Sequence, residues 1–327
     1  MNYTDLSSST TSRDIVSSMS TSTITLHNGV FTIDDYSDSG LLGSGSYGNV
    51  FLGTQHLPQT SEAVAIKVHH DKFLLQREVQ IYNYLWKYIK DGYVNSLHIP
   101  RMLWSGSVDI GEKRKEAIVM EKLGKSFDVV FDASDKTWTS GTVCWFAHHA
   151  LQLLRDLHKL GIVHRDIKPD NFAIGATPAT QNTLHLFDFG LSSQYIDKEG
   201  SHHPKKTGLS LIGTMRYASQ NNHRGILQSR RDDLEALFYV LLYFHNGTLE
   251  WKHVVKDVDD RLIRSKLILE HKIQLMEDDV PKVLREYFTY VRRLEYSETP
   301  DYEKWIEWFG KRLWTITIHH CFPYTLK

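Results

Sequence analysis

Apolar and polar residues are patterned differently in the two parts of the chain. From residue 30 to about residue 70, short β-branched and aromatic runs are broken by Gly and Pro, which is typical of strands. The segment FLLQREVQIYNYLWKYI then repeats apolar residues at helical spacing, and EAIVMEKLG indicates a further strand. Beyond it the pattern is mostly helical. Strands followed by helices predict an α+β fold with two lobes, a strand-rich N-lobe of about residues 30–121 and a helical C-lobe of about residues 124–327.

Four segments carry the helical pattern of the second part. TVCWFAHHALQLLRDLHKLG is amphipathic and should end at Gly161, because glycine readily adopts the left-handed conformation that closes a helix. RRDDLEALFYVLLYFHNG is apolar on almost all sides after its first turn, which predicts a buried helix. VPKVLREYFTYVRRLEY and DYEKWIEWFGKRLWTI complete the helical C-lobe.

The first 29 residues differ from the rest of the chain. Ser and Thr dominate them and apolar residues are isolated, so the segment cannot bury enough surface to offset the entropy of ordering it. We expect a disordered leader over residues 1–29 and one domain over residues 30–327. The leader fits a phosphorylated tail and, at least as well, a plain flexible segment.

Composition narrows the possible functions. The chain of 327 residues is 41% hydrophobic and 24% charged, an ordinary mixture for a globular protein. Lys and Arg number 38 against 39 Asp and Glu, so no overall positive field favours nucleic acid or a membrane surface. No apolar run reaches the ~18 residues of a membrane span. Two cysteines without metal-type Cys/His spacing favour a reducing compartment. We therefore expect a cytoplasmic or nuclear protein that binds neither nucleic acid nor membranes.

A glycine-rich string, LLGSGSYGNVFLG, places Gly43, Gly45 and Gly48 at the spacing of loops whose backbone amides approach phosphate. A dinucleotide-binding turn would require a helix directly after the last glycine. Here NVFLGTQ continues as a strand, so the string should form a strand–turn–strand flap over a nucleotide. The nucleotide contacts predicted in this flap are Leu42, Gly43, Ser44, Gly45, Ser46, Tyr47, Gly48, Asn49 and Val50.

Three further motifs follow the glycine loop in a fixed order. VAIKV places Lys67 on a strand, HRDIKPDN spans residues 164–171, and FDFG spans residues 187–190. Together with the glycine loop they resemble the signature of protein kinases, which transfer the γ-phosphoryl group of ATP. Such transfer requires charge neutralisation and aligned oxygens, and little covalent chemistry by the protein.

The residue types in these motifs suit phosphoryl transfer. Asp188 offers a carboxylate and Asn171 an amide oxygen to Mg²⁺, a hard cation that prefers oxygen ligands. Asp166 is expected to accept the proton of the attacking hydroxyl, and Lys168 to contact the γ-phosphate as charge moves. The sequence therefore predicts ATP and Mg²⁺ as cofactors, with Asn171 and Asp188 as metal ligands.

Lys67 needs a partner that orients its ammonium group toward the α- and β-phosphates. The helix carrying QREVQIY offers Glu78, and Glu62 is a competing carboxylate. Kinases pair this lysine with a glutamate of the helix, so we predict a Lys67–Glu78 ion pair. The alternative for Glu78 is a solvated position on the helix face.

Within the protein kinases, the chain resembles the casein kinase 1 family over about residues 34–327. The resemblance rests on the Ser-rich glycine loop, MEKLGKSF, HRDIKPDNF and YVRRLEYSETPDYEKW. Its most specific part is GTMRYAS at residues 213–219, followed by NNHRGILQSRRDDLEAL, where most kinases have Ala-Pro-Glu. The resemblance implies that Met120 is the gatekeeper and that Glu121 to Leu123 contact the adenine edge. The ATP contacts predicted outside the flap are Ala65, Lys67, Met120, Glu121, Leu123 and Asp188.

The resemblance also implies properties of the enzyme. It implies Ser/Thr specificity, protein substrates, a mostly monomeric state, and activity without phosphorylation of the activation segment YIDKEGSHHPKKTGLSL. Asp233 would match a buried aspartate that supports the catalytic loop. Arg216 would match an arginine that contacts the phosphate of pre-phosphorylated substrates, and its alternative is a structural salt bridge.

The chain departs from the family near this anion site. Where the family tends to have lysines after the FDFG motif, this chain has Ser192, Ser193 and Gln194. Arg261 and Arg264 are candidates to replace a further family lysine. We therefore expect a preference for acidic or phosphorylated residues upstream of the target Ser or Thr, weaker than in the family.

Two other functions deserve comparison with protein kinase activity. A pseudokinase-type binding scaffold usually lacks the lysine, the catalytic aspartate or the metal-binding aspartate, whereas Lys67, Asp166 and Asp188 are all present. The alternative function for this chain is such a binding scaffold. Small-molecule phosphotransfer on the same fold is disfavoured by the block at residues 213–219, which faces a protein substrate in the family.

Overall fold

The computed structural model describes residues 23–45, 48–69, 71–110 and 112–313. Within these ranges the N-terminal lobe is rich in strands and the C-terminal lobe is helical, which confirms the α+β fold class. None of the helices in these ranges combines the length and apolar content that crossing a bilayer would require.

The body of the N-terminal lobe is one antiparallel sheet of seven strands. The strands are β1 (Ile24–Leu26), β2 (Phe31–Ile33), β3 (Leu41–Gly45), β4 (Gly48–His56), β5 (Ser61–His69), β6 (Met102–Ile110) and β7 (Lys113–Glu121). They are arranged in the order β1-β2-β4-β5-β7-β6, and β3 pairs with β4. Buried apolar residues from β1, β2 and β4 to β7 form the core of this sheet and specify its register.

The folded part of the chain begins earlier than the sequence predicts. Residues 24–29 fall in the expected disordered leader, yet β1 pairs with β2 and a short 3-10 turn joins them. Leu26 is buried together with Phe31 and Ile33, so this segment does bury enough apolar surface to become ordered. The predicted boundary at residue 30 is therefore wrong. Residues 1–22 lie outside the described residues.

Helix α1 (Lys72–Lys90) follows β5 and carries one acidic residue on its buried face. Leu75, Tyr82 and Leu85 pack into the core, as their spacing predicts. Glu78 lies among them and is also buried. A buried carboxylate is costly unless it is paired, so this helix face must meet a cation.

The C-terminal lobe is built around one buried helix. Its helices are α2 (Phe127–Ala133), α3 (Ser140–Lys159), α4 (Gln220–His223), α5 (Arg230–Asn246), α6 (Trp251–Val254), α7 (Arg261–Gln274), α8 (Lys282–Arg293) and α9 (Tyr302–Leu313). Every residue of α5 from Arg231 to Phe244 is buried, which confirms the buried helix predicted from its apolar surface. Gly161 and Gly247 close α3 and α5 with φ values of 76° and 75°.

Two short strand pairs flank the HRDIKPDN and FDFG motifs, and the mostly helical sequence pattern did not predict these strands. β8 (Ile162–Val163) pairs with β11 (Ser193–Gln194), and β9 (Phe172–Ile174) pairs with β10 (Leu184–Leu186). The HRDIKPDN motif runs from β8 to β9, and FDFG runs from β10 toward β11. Each motif is therefore held by a paired strand on either side.

Candidate active site

Lys67 lies at the centre of a buried charge cluster. Its Nζ is 2.8 Å from Oε2 and 3.1 Å from Oε1 of Glu78, and 2.8 Å from Oδ1 of Asp188. The expected ion pair with Glu78 is thus present, whereas Glu62 is exposed near the other end of β5. Burial disfavours the charge on Lys67, but the two carboxylates outweigh it and raise the pKa of the amine above its ordinary value.

Asp188 is held in an ionised state facing Lys67. Its backbone is left-handed, with φ of 66°. The buried ring of Phe189 beside it packs edge-on against Tyr82, with 5.1 Å between ring centres, and lies 5.2 Å from the ring of His164. Burial acts to raise the pKa of the Asp188 carboxyl, but the charge of Lys67 lowers it to about 2.

His69 belongs to the same cluster, although it lies outside the VAIKV motif. Its Nε2 is 3.0 Å from Oε2 of Glu78, and both side chains are fully buried. His69 and Lys67 are two residues apart on β5, so they lie on one face of the sheet. This period of two is the signal that identifies His69 as a neighbour of the lysine.

The carboxylate of Asp166 is fixed through both of its oxygens. Oδ1 accepts a hydrogen bond of 2.8 Å from the amide of Thr214, and Oδ2 lies 3.2 Å from Nζ of Lys168. Nδ2 of Asn171 donates to the backbone oxygen of Asp166 at 2.8 Å and approaches Oδ2 at 3.4 Å. Because Asn171 uses its nitrogen on Asp166, its side-chain oxygen is the atom that can ligate a cation.

Asp233 on α5 supports the backbone of the catalytic loop. Its Oδ2 accepts a hydrogen bond of 2.7 Å from the amide of His164, and its Oδ1 accepts one of 2.8 Å from the amide of Arg165. Arg165 has φ of 68°, an uncommon conformation for a residue with a side chain, and these bonds hold it there. The arrangement matches the buried aspartate that the family resemblance implies.

A histidine and a tyrosine extend this support to the last described helix. Nε2 of His158 is 2.9 Å from Oδ2 of Asp233, and Nδ1 is 2.6 Å from the hydroxyl of Tyr302. Burial acts to raise the pKa of Asp233, but the hydrogen bond and charge of His158 outweigh it and lower that pKa. Burial lowers the pKa of His158. No local sequence pattern indicates a role for His158 or Tyr302, because their contact joins α3 to α9.

The glycine-rich string supplies two paired strands, β3 and β4, and no helix directly follows its last glycine, as the sequence predicts. β3 pairs with β4 from Leu41 to Gly45, and Gly45 lies opposite Gly48. A Cβ at Gly43 or Gly45 would meet open space, so another molecule can approach the backbone there. A Cβ at Gly48 would lie 2.3 Å from the carbonyl oxygen of Val68, so glycine is required by the sheet itself. Ser46 and Tyr47 lie outside the described residues.

The predicted adenine contacts lie where the sheet meets the linker between the lobes. Ala65 pairs with Met120 across β5 and β7, and Met120 is buried. Glu121 ends β7, and its carboxylate accepts a hydrogen bond from the amide of Arg101. Leu123 follows in the linker, next to Gly124.

A polar network stands where most kinases have Ala-Pro-Glu. The amide of Gln220 donates to Oε1 of Glu235 at 3.0 Å. Arg292 donates to the same Oε1 at 3.0 Å and to Oε1 of Gln220 at 2.6 Å. Gln220 and Glu235 are buried, so the network connects the end of the block at residues 213–219 to helices α5 and α8. No local sequence pattern predicts this network, because its members are far apart in the chain.

Arg216 is half-buried in the block at residues 213–219 and has a mixed environment. Its guanidinium carbon is 5.9 Å from the ring centre of Tyr217, and its backbone oxygen accepts a hydrogen bond of 2.9 Å from Trp251. Burial, followed by the charges of Asp170 and Asp132, raises the pKa of Asp128, and the charge of Arg216 opposes this rise. The charge of Arg216 therefore acts on Asp128.

The other basic residues considered for an anion site differ in their contacts. Arg165 donates through Nε to the carbonyl of Leu191, and Arg264 donates to the carbonyl of Val258. Lys205 and Lys206 are exposed in the activation segment, and Arg261 is exposed at the start of α7.

The donor set at the cleft fits Mg²⁺ with a nucleotide. Asp188 and Asn171 supply hard oxygen atoms, and Mg²⁺ in such sites takes its remaining ligands from water and phosphate. In the described part of the chain, no group of three or more His, Cys, Asp or Glu side chains is placed to hold a metal ion, so water and phosphate would supply the other ligands. Lys67 adds the positive charge that phosphate oxygens require.

A family comparison agrees with this geometry. Residues 36–282 match the family model described as the protein kinase domain. The chain therefore belongs to the protein kinase family and is a phosphotransferase, a class that acts on protein substrates and generally uses ATP and Mg²⁺.

Proposed function

We propose that this protein is a serine/threonine protein kinase of the casein kinase 1 type. It would transfer the γ-phosphoryl group of ATP to Ser or Thr hydroxyls of acidic or phospho-primed proteins. The observation that carries the proposal is the assembled cleft: Lys67 is paired with Glu78 and Asp188, while both oxygens of Asp166 are fixed. A pseudokinase scaffold, the alternative function, has no need of a catalytic carboxylate held in this way.

Each residue of the cleft has a distinct task in the proposed reaction. Mg²⁺·ATP, when bound, supplies the phosphoryl group and the cation that neutralises its oxygens. Lys67 holds the α- and β-phosphate oxygens, and Asp188 and Asn171 hold the cation. Asp166 would orient the substrate hydroxyl and accept its proton as the oxygen bonds to the γ-phosphorus. The bond from that phosphorus to the β–γ bridging oxygen breaks at the same time and ADP leaves, while Lys168 offsets the charge that develops on the γ-phosphoryl group.

The casein kinase 1 assignment is supported by the block that follows the activation segment. GTMRYAS is followed by Gln220, whose network with Glu235 and Arg292 supports this block without an Ala-Pro-Glu motif. The assignment therefore rests on a region that binds protein substrates in the family, and Ser/Thr specificity comes with it.

The substrate preference is proposed from the charges near Arg216. Its guanidinium can bind a phosphate or carboxylate through two parallel hydrogen bonds, and Lys205 and Lys206 are exposed in the adjoining segment. Asp128 and Asp170 oppose this preference. We therefore propose a weaker selectivity for acidic or primed peptides than the family has.

A peptide-array assay tests the proposal directly. Arrays would carry acidic, phospho-primed, neutral and basic peptides with Ser, Thr or Tyr acceptors, and radiolabelled ATP with Mg²⁺ would report transfer. The Asp166→Asn variant serves as the control for contaminating kinases. Label on Ser and Thr in acidic or primed peptides is expected. Label only on Tyr, or a clear preference for basic peptides, would contradict the specificity, and no transfer at all would favour the scaffold alternative.

A further inference from the structure

Asn222 holds the end of the activation segment through two hydrogen bonds. Its Oδ1 accepts from the amide of Ile212 at 3.2 Å, and its Nδ2 donates to the carbonyl of Ile212 at 2.7 Å. The residue is only 3% exposed. One side chain thus satisfies both polar groups of one backbone residue, ten positions earlier in the chain.

The held residue adjoins the catalytic carboxylate. Gly213 follows Ile212 with φ of 88°, and a Cβ there would lie 2.5 Å from the carbonyl oxygen of Arg165. Thr214 is next, and its amide donates to Oδ1 of Asp166 at 2.8 Å. The position of Ile212 therefore sets the position of an amide that orients Asp166.

Backbone contacts continue the attachment along the activation segment. The amide of Leu227 donates to the carbonyl of Lys206 at 2.9 Å, and the amide of Leu209 donates to the carbonyl of Gly225 at 3.0 Å. The segment from residue 206 to residue 212 is thus attached at three points to residues 222–227. Asn222 supplies the one attachment made by a side chain among these three.

The residues that hold the backbone of Asn222 in place are themselves buried. The amide of Asn222 donates to Oγ of Ser219 at 3.0 Å, and that hydroxyl contacts Oδ1 of Asp232 at 2.5 Å. Ser219 and Asp232 are each about 1% exposed or less. Asn222 is therefore carried by a fixed part of the C-terminal lobe.

We propose that Asn222 is a positioning residue that keeps the activation segment in the form that admits substrate, without a phosphate. This inference rests on the proposed kinase function. In many kinases a phosphorylated residue orders this segment by pairing with arginine. Here neutral hydrogen bonds to Ile212 do so, and Nε of Arg165 is engaged by the carbonyl of Leu191.

The test compares Asn222→Ala and Asn222→Asp with the matched control Asn221→Ala. The side chain of Asn221 forms no hydrogen bond with any residue in the described ranges, so its removal leaves the attachment intact. Asn222→Asp keeps the size of the side chain but places a carboxylate oxygen against the carbonyl of Ile212. Each protein, treated with phosphatase, is assayed for peptide kcat/KM, for its thermal shift with Mg²⁺·ATP, and for the rate of tryptic cleavage after Lys205 and Lys206.

Both Asn222 variants are expected to lose at least about tenfold in kcat/KM, the effect of two buried hydrogen bonds. They should keep the thermal shift with Mg²⁺·ATP, which shows that they are folded, and should be cleaved faster in the activation segment. If Asn222→Ala were cleaved at the wild-type rate and had the wild-type kcat/KM, the inference would be overturned. An inactive wild-type enzyme would refute the proposed function instead, and the cleavage rates would still decide whether Asn222 holds the segment.

Discussion

The amide of Thr214 donates a hydrogen bond of 2.8 Å to Oδ1 of Asp166. This bond connects the block at residues 213–219 to the HRDIKPDN loop. With Lys168 at 3.2 Å from Oδ2, Asp166 has a single orientation toward the cleft. We therefore expect the Asp166 carboxylate to accept a hydrogen bond from a substrate hydroxyl only in the direction that its contacts with Thr214 and Lys168 leave open.

The first prediction is that Asp166→Asn abolishes phosphoryl transfer while ATP binding survives. The amide cannot accept the hydroxyl proton, and the nucleotide is held by other residues. Removal of a general base costs on the order of 10²–10⁴ in kcat. Steady-state kinetics and a thermal-shift titration with Mg²⁺·ATP measure the two effects. Turnover within about tenfold of wild type would contradict the role of Asp166.

The second prediction concerns Asp188→Ala. Loss of this carboxylate removes a predicted metal ligand and one partner of Lys67. Ligand binding stabilises a protein by RT ln(1 + [L]/Kd), so the thermal shift with Mg²⁺·ATP should disappear together with activity. Glu303→Ala, an exposed substitution on α9, is a suitable control that should keep the shift. An unchanged titration of Asp188→Ala would show that the cation is held elsewhere.

The third prediction is that the enzyme is active as purified, without phosphate on Thr207 or Ser210. Both side chains are exposed, and the segment around them is attached to residues 222–227 through backbone and Asn222 contacts. Phosphatase treatment, verified by mass spectrometry, should leave peptide phosphorylation unchanged, as should Thr207→Ala and Ser210→Ala. Loss of activity in the treated protein and in either variant would mean that a phosphate orders the segment.

The motifs are visible in the sequence, but the contacts that hold them in place are not. Lys67 and Glu78 were predictable as a pair because both lie in short strings with a known chemistry. Thr214 and Tyr302 were not, because an amide donor and a tyrosine from α9 carry no local pattern. The leader boundary was misplaced for a related reason: Leu26 is isolated in sequence and is buried in the core of the sheet that β1 joins by pairing with β2.

The fourth prediction concerns stability at low pH. Burial, together with the charge of His148, lowers the pKa of His149 to about 4, below the ordinary value of 6.5. In the folded protein His149 stays neutral, and its contribution to the free energy of unfolding is fully present above pH 6.5. That contribution is lost as the pH falls toward 4, because the unfolded chain then binds a proton that the folded chain does not. One such histidine lowers the free energy of unfolding by about 2 kcal/mol between pH 7 and pH 5.

Urea denaturation at several pH values measures this effect. His149→Gln should flatten the dependence of the free energy of unfolding on pH between 7 and 5. His253→Gln removes an exposed histidine and should leave the dependence as in wild type. Equal slopes in His149→Gln and wild type would show that His149 does not titrate in this way.

The last prediction decides what Arg216 does. If it binds a phosphate or carboxylate on the substrate, Arg216→Ala should raise KM for a primed peptide far more than for the unprimed peptide of the same sequence. Hydrogen bonds to charged groups contribute about 1.5–3 kcal/mol, which corresponds to roughly a tenfold to hundredfold change in KM. Lys136→Ala, which removes a partly exposed cation that also acts on Asp128, serves as the control for a general change in charge.

The neighbours of Arg216 make the comparison decisive. Its charge already opposes the raised pKa of Asp128, so a purely structural arginine would serve to stabilise that half-buried carboxylate. In that case Arg216→Ala would lower the melting temperature and change both KM values alike. An anion-binding arginine would instead leave the unprimed KM almost unchanged, because an unprimed peptide offers no charge to lose. A wild-type preference for basic peptides would reverse the assignment, since Asp128 and Asp170 would then be the groups that select the substrate.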